Sequence, residues 1–182
     1  MVPGWRSVRD ECIRTGVRHS LHGRAETLES SNFADRIKSP SLRAFYRRWR
    51  NVLIDGDGLP SMEAFDPGDL AAMSFVAAVE PDGFRFVSFG DRLTDWLGQS
   101  LQGRLVRDDA LERFGSLKAA YRNCVEQQVP AYESVHFDFG GGDTVSLERV
   151  VVPLFDAGQG VSHVGGAVMI EDTDVVGSDG AI

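Results

Sequence analysis

The sequence has few cysteines, no excess of basic residues and no long apolar run, and each absence excludes a class of protein. Two cysteines, Cys12 and Cys124, occur in 182 residues without a CxxC spacing. Neither a disulfide framework nor a zinc knuckle is therefore expected. The formal net charge of −8 argues against nucleic-acid binding, which needs a basic surface.

Membrane and secretory segments are also missing from the sequence. No apolar stretch approaches the ~20 residues that span a bilayer, and the first residues, MVPGWRSVRDECIRTG, lack the apolar core of a secretory signal. Hydrophobic residues make up 42% and charged residues 25%, as in soluble globular proteins. We therefore expect a cytoplasmic protein with no membrane segment.

The most informative stretch runs from Phe84 to Arg104 and reads FRFVSFGDRLTDWLGQSLQGR. Its beginning is rich in aromatic residues that alternate with other side chains, which predicts a strand. Gly90 ends that strand, Asp91 is the predicted cap of a short helix, and Gly98 ends the helix in a left-handed conformation. A strand followed by two short helical turns leaves a hollow beside the sheet, where we expect the function to lie.

An amphipathic helix precedes this stretch. Ser39 is its predicted cap, and Pro40 suits its first position. Aromatic and aliphatic residues form one stripe along it: Leu42, Phe45, Tyr46, Trp49 and Leu53. The stripe either packs on the chain's own sheet or forms a seam with a second copy or another partner. The arginines on the other faces are either solvated or contact an acidic partner.

The remaining elements complete an α+β pattern. A strand at 75–80 forms a hairpin with the strand at 84–89, a longer helix spans 109–128, and Pro130 ends it. Three more strands are predicted at 131–139, 144–155 and 162–171. This order predicts a five-stranded antiparallel sheet with helices on one face, preceded by the amphipathic helix.

The predicted domain covers residues 38–172. Residues 1–37 show no sustained periodicity and are expected to be a poorly ordered or loosely docked arm, and 173–182 a flexible tail.

The order of elements resembles that of a PAS domain, and several motifs match a stand-alone PAS family of alphaproteobacteria whose function is unknown. The matching segments, which span about residues 40 to 171, are Tyr46–Trp49, Leu59–Ser61, Asp66–Pro67, Phe84–Phe86, Gly98, Gly103–Arg104, Val129–Tyr132 and Glu148–Arg149 before Val152–Leu154. The resemblance implies a bacterial sensory or adaptor module. Such a module binds a small molecule between sheet and helices, or docks a signalling partner or a second copy.

The resemblance also allows two cofactors to be considered. A light-sensing flavin subclass carries a reactive Cys just before the long helix, where this chain reads GRLVR at 103–107. A haem subclass carries a His on the long helix, and 109–128 contains none. We therefore expect haem and light-sensing flavin to be disfavoured, and the sequence names no other cofactor.

The candidate ligand pocket combines apolar and polar side chains. Its predicted members are Phe84, Phe86, Trp96, Leu101, Tyr121, Val150, Arg104 and Glu148. The apolar members could equally be ordinary core residues. Glu148 and Arg149 are adjacent and face opposite ways in a strand, so one of them points towards the helices. That charge either joins an ion pair, with Arg104 or Asp91, or anchors a ligand.

Catalysis is not expected. The best constellation that the sequence offers is His136, Asp138, Glu148, Arg149 and His163. Strand alternation places His136 and Asp138 on a solvent-facing side, which is unsuitable for a general base, and no metal-ligand spacing is present. We predict a non-enzymatic module without catalytic or metal-binding residues. The alternatives are a small α+β enzyme that uses the hollow, or a purely structural dimerisation module.

Overall fold

A computed structural model describes residues 32–55, 59–106, 117–138, 144–156 and 160–173. Most of the predicted arm and nearly all of the predicted tail lie outside these residues. So do the glycine-rich turn at 140–143 and the first part of the predicted long helix. Within the described ranges, no helix is long and apolar enough to cross a membrane.

Five antiparallel strands form one sheet in the order β2-β1-β5-β4-β3. Their bounds are β1 Ser74–Glu80, β2 Gly83–Phe89, β3 Ala131–Asp138, β4 Thr144–Asp156 and β5 Gly160–Thr173. All five were predicted, and their ends differ by one or two residues because strand ends are the weakest part of a periodic signal. Strands β1 and β2 form the predicted hairpin, with Glu80 opposite Gly83 at its end.

The helices occupy both faces of the sheet. They are α1 Asn32–Arg36, α2 Pro40–Asp55, α3 Asp91–Leu97 and α4 Leu117–Gln127, and a 3-10 helix covers Gly68–Met73. Helices α3 and α4 lie on one face, as predicted for the core of the fold. The amphipathic leading helix α2 lies on the other. The predicted fold class, an antiparallel five-stranded α+β sheet with a leading helix, is confirmed.

Alternation along β4 divides the core into two clusters. Leu147 and Val151 belong to the cluster under α3 and α4, and Val150 and Val152 to the cluster under α2. Because neighbouring strand residues point to opposite faces, β4 contributes side chains to both clusters. It pairs with β3 on one side and β5 on the other.

The apolar stripe of α2 packs on the chain's own sheet. Leu42, Phe45, Tyr46 and Trp49 are at most 5% exposed, and Leu53 packs partly buried against the same cluster. Trp49 also donates its indole N–H to the Pro153 carbonyl at 2.9 Å. A dimer or partner seam made from these side chains is therefore the wrong alternative, because they are buried inside one copy of the chain.

The start of α2 is fixed by one hydrogen bond within the turn and one hydrogen bond to the sheet. The predicted cap Ser39 accepts the Leu42 N–H at 3.4 Å, and the Glu148 carboxylate accepts the Ser39 N–H at 3.0 Å. An anion at a helix N-terminus satisfies free N–H groups and interacts favourably with the helix dipole. Glu148 of β4 therefore ties α2 to the sheet.

The residues before α2 are also docked. Ile37 is 0% exposed, and the Phe33 ring lies 4.8 Å from the Tyr46 ring. Arg43 is half-buried and donates to the Ile37 carbonyl at 2.7 Å, so it binds the residues before its own helix. The docked part of the chain therefore includes residues before the predicted boundary at 38.

The turn from β2 into α3 corrects one prediction. Gly90, not Asp91, is the N-cap of α3, and Asp91 is the first helical residue. A side chain at Gly90 would meet the Ala72 carbonyl oxygen at 2.3 Å, so the close packing against the 3-10 helix requires glycine here. Gly98 ends α3 with φ 71°, as predicted.

Candidate ligand cavity

A cavity of about 50 Å³ lies between the sheet and helices α3 and α4. Its described walls are almost entirely apolar. They consist of Phe75, Phe86, Phe89, Leu93, Trp96, Leu97, Leu101, Leu117, Tyr121, Leu147, Val168 and one charged residue, Arg149.

Local structure holds the aromatic wall in place. The Phe75 ring stacks on the Tyr121 ring with centroids 5.5 Å apart and meets Phe86 edge-on at 5.7 Å. Gly166 lies behind Phe75, and a Cβ there would meet the ring at 2.2 Å. The rings are therefore fixed between a glycine backbone and α4, and this part of the wall is rigid.

The other wall follows α3 and the turn after it. Leu101 and Val106 are buried, and backbone hydrogen bonds pin this segment to the outer edge of β2. The Gly103 N–H donates to the Phe86 carbonyl and the Val106 N–H to the Phe84 carbonyl, both at 2.7 Å. The turn after α3 thus closes one side of the cavity and covers the edge of the sheet.

Arg149 is the charged residue of the cavity and is 2% exposed. It lies opposite Glu133 in the β3–β4 ladder, and its Nη2 forms an ion pair with the Glu133 carboxylate. Among the described residues, its Nε–H has no hydrogen-bond partner. A buried guanidinium that is neutralised on one side therefore keeps one donor unused.

Tyr121 is a second buried polar group in the same cavity. It is 0% exposed, and its hydroxyl has no partner in the described part of the chain. Burial raises the pKa of Tyr121 and outweighs the lowering effect of Arg149, so the hydroxyl keeps its proton. Leaving two such donors unpaired in an apolar interior is unfavourable.

The structure brings four of the eight predicted pocket residues together in the cavity: Phe86, Trp96, Leu101 and Tyr121. Phe84 packs edge-on behind Tyr121, with ring centroids 5.4 Å apart, and is outside the wall.

The other three predicted pocket residues lie elsewhere. Arg104 is exposed and donates to Gln99 at 3.0 Å. Val150 belongs to the opposite cluster, and Glu148 binds the start of α2. The prediction chose the wrong member of the Glu148–Arg149 pair. Alternation alone does not say which face of β4 carries α3 and α4.

The sequence feature that could have placed Arg149 in the pocket is a pair of opposite charges on two neighbouring strands. Its partner is Glu133, and neither Arg104 nor Asp91 as predicted. Opposite charges that face each other in antiparallel strands occupy one face of the sheet. Pairing Glu133 with Arg149 in the sequence would have placed both on the side of Leu147, and Arg149 in the pocket.

The described members of the candidate catalytic constellation are not brought together. Glu148 and Arg149 point to opposite faces, and His163 contacts the hydroxyl of its neighbour Ser162 at 2.9 Å. The side chains of His136 and Asp138 lie outside the described residues. No group of three or more His, Cys, Asp or Glu side chains in the described ranges could hold a metal ion.

Cys124 lies behind the cavity wall on α4 and is 0% exposed. Desolvation raises its pKa above the ordinary value of 9.0. Above about pH 9 the Cys124 thiol therefore loses its proton in the unfolded chain and keeps it in the folded chain.

We predict that the free energy of unfolding falls between pH 9 and 10, by up to ~1.4 kcal/mol per pH unit from the Cys124 thiol. In urea titrations Cys124→Ala should show a shallower fall, and an equal slope would contradict this origin.

Comparison with known proteins gives matches at the level of structure only. No family model and no curated protein matches the chain. A PAS domain of BvgS from Bordetella pertussis has a TM-score of 0.37 and 15% identity, covering 53% of this chain and 70% of that one. A LOV domain of the blue-light activated histidine kinase EL346 from Erythrobacter litoralis has a TM-score of 0.37 and 18% identity, covering 54% and 94%.

A further match corrects the prediction on cofactors. It is a light-oxygen-voltage domain studied with a flavin analogue, with a TM-score of 0.41, 12% identity, and coverage of 56% of this chain and 78% of that one. The missing Cys led us to disfavour a light-sensing flavin. That prediction is contradicted, since light-oxygen-voltage domains are among the matched structures. Cofactor use by this chain is not established.

Proposed function

We propose that this chain is a sensory or adaptor module of the PAS type, which binds a small molecule in the cavity beside Arg149. One observation carries the proposal: a cavity of about 50 Å³ with almost entirely apolar walls lies between the sheet and the helices, and the buried, ion-paired Arg149 is among its lining residues. Ligand pockets typically combine apolar walls with a few polar or charged residues.

The sheet supplies a route for the signal. Arg149 lines the cavity, and its neighbour Glu148 accepts the Ser39 N–H at the start of α2 on the opposite face. A ligand that moves Arg149 would shift β4, and with it the carboxylate that caps α2. Binding in the cavity thereby changes the population of docked and loosened α2, which is the element presented to a protein partner or a second copy.

The exposed side of α2 provides a surface for such a contact. Arg47 and Arg48 are exposed, and Arg48 pairs with Asp66 at 3.0 Å. An exposed ion pair contributes little stability, so an acidic partner can replace Asp66 at little cost. We therefore propose that this surface, rather than the buried apolar stripe, is the one that meets a signalling partner.

Ligand binding can be tested with a variant that fills the cavity. Val168 lines it, and Met169 packs against the opposite cluster. Native mass spectrometry and thermal-shift measurements with a metabolite panel would be run on the wild type, Val168→Phe and Met169→Phe. We expect a retained or stabilising small molecule with the wild type and Met169→Phe, and none with Val168→Phe. Wild-type protein that retains no small molecule and is stabilised by none contradicts the sensory proposal.

A further inference from the structure

The two edges of the sheet differ in what covers them. At β2, the turn after α3 forms backbone hydrogen bonds with Phe84 and Phe86. Strand β3 is the last strand at the opposite end of the sheet, and within the described ranges its backbone pairs with β4 only. No described backbone segment therefore pairs with the outer edge of β3, which can serve as a template for another strand.

Strand β3 also lacks the usual protection of an edge. Proteins shorten such strands, interrupt them with a bulge or proline, or place lysine or an inward-pointing charge on them. Ala131–Asp138 contains no proline, lysine or arginine, and its eight residues pair with β4 in one unbroken register. Its inward charge, Glu133, is compensated by Arg149. The strand is therefore long and regular enough to accept a partner strand.

The face of this edge that α2 covers is basic. Ser134 lies opposite Glu148 there, whose carboxylate caps α2, and the exposed Lys38 donates from Nζ to the Ser134 hydroxyl at 3.5 Å. Residues 36–50 hold six basic side chains, Lys38 included, and no acidic one, in a chain whose net charge is −8. Of these six, Arg48 alone forms an ion pair within the described residues. Carboxylates on a partner strand would meet unpaired positive charge.

The other face of the same edge is apolar. Val135 is half-buried and lies opposite Leu147, which belongs to the cluster under α3 and α4. Successive residues of a strand point to opposite faces. A strand that matches this edge therefore alternates acidic residues, on the side of Lys38, with apolar or β-branched residues beside Val135.

We propose that an extended acidic segment of a partner protein adds to β3 as a sixth strand of the sheet. Main-chain hydrogen bonds to β3 supply affinity, and the alternating side chains supply specificity. This inference rests on the proposed function, because it names the docking edge and the chemistry of the partner to which the module signals.

The probe for this edge is the end-blocked peptide Thr-Glu-Val-Glu-Thr-Glu-Val-Glu-Thr, which as a strand carries glutamate on one face only. It is titrated into the full-length ¹⁵N-labelled chain, and NMR follows the backbone amides of β3, α2 and β5. In the free chain we expect alternate amides of β3 to exchange rapidly with solvent. The peptide should shift β3 saturably and slow that exchange, with smaller changes in the central strand β5.

Two control peptides separate strand pairing from charge attraction. One replaces every glutamate by lysine. The other keeps the glutamates and methylates every backbone nitrogen, which removes the donors that strand pairing needs. We expect both to bind at least about ten-fold more weakly, because the edge requires both the charge and the backbone pairing. Equal binding of the methylated peptide would overturn strand addition.

Two matched charge reversals locate the basic contact. Lys38→Glu changes the charge beside Ser134, and Arg92→Glu makes the same change at an exposed position of α3, the helix that follows the opposite edge strand β2. Lys38→Glu should bind the acidic peptide about five-fold more weakly or worse, the effect of one exposed ion pair lost. Arg92→Glu should bind it like the wild type, and equal affinity in Lys38→Glu would overturn the proposed contact.

The remaining outcomes separate this inference from the proposed function. Shifts confined to α2 would overturn strand addition and leave the exposed side of α2 as the partner surface. Exchange at every β3 amide as slow as in β4 in the free chain would show that another part of the chain covers the edge, and would overturn the inference. So would a dimer in native mass spectrometry with β3 shifts that depend on protein concentration. Small-molecule binding in the cavity is measured independently and stands or falls on its own result.

Discussion

Replacing Trp49 by alanine is expected to lower the free energy of unfolding by about 4 kcal/mol, as for other large buried aromatic side chains. Trp49 is 5% exposed, packs beside Tyr46 at 5.9 Å between ring centroids and donates to the Pro153 carbonyl. The change removes both this packing and the hydrogen bond to the sheet. Urea unfolding followed by circular dichroism would measure it.

Two further variants identify the origin of that effect. Trp49→Phe keeps most of the packing and loses the hydrogen bond, so we expect a smaller loss of about 2 kcal/mol. Arg47→Ala lies on the exposed face of the same helix and should change stability by less than about 0.5 kcal/mol. If Trp49→Ala were as stable as Arg47→Ala, α2 would not be part of the folded domain.

Replacing Arg149 by methionine is expected to lower the free energy of unfolding by about 3 kcal/mol. The substitution keeps the length of the side chain in an apolar cavity and removes the partner of the Glu133 carboxylate. Breaking one side of a buried ion pair typically costs 3–5 kcal/mol, and ~3 is appropriate because Glu133 is 25% exposed. Chemical unfolding of wild type and variant would measure the difference.

A double-mutant cycle shows whether the charge left behind causes that loss. Glu133→Gln combined with Arg149→Met removes both charges, so the double variant should be more stable than Arg149→Met alone. Equal stability of the single and double variants would show that the loss comes from packing rather than from an unpaired carboxylate.

Much of the fold could be predicted because its signals are local and periodic. Alternating aromatic residues identified β2, Ser39 and Pro40 marked the start of α2, and Gly98 marked the end of α3. Each of these signals is complete within a few residues, and each is read the same way whatever the tertiary context.

The placement of α2 and of the cavity residues depends on contacts that are distant in sequence. The apolar stripe of α2 reads the same whether its partner is the sheet or a second copy. Glu148 and Arg149 carry identical local signals, and the register of β4 against Glu133 decides which of them enters the cavity. The N-cap of α3 is Gly90 and not the predicted Asp91, because the Ala72 carbonyl leaves no room for a side chain at position 90.

The cavity and the start of α2 lie on opposite faces of one sheet. Arg149 and Glu148 are neighbours on β4, one in the cavity and the other at the start of α2. We propose that ligand binding in the cavity is coupled to the docking of α2. This coupling requires that occupancy of the cavity changes the hydrogen bonds at Ser39.

Amide hydrogen exchange at Ser39 and Leu42, measured with and without a ligand that fills the cavity, tests this coupling directly. Any bound ligand slows exchange throughout the domain by stabilising the folded state, and the amide of Val164 in the central strand β5 reports that general effect. We predict that exchange at Ser39 and Leu42 slows by a larger factor than exchange at Val164. Unchanged exchange at Ser39 and Leu42, while the amide resonances of α4 show the cavity to be occupied, would contradict the account.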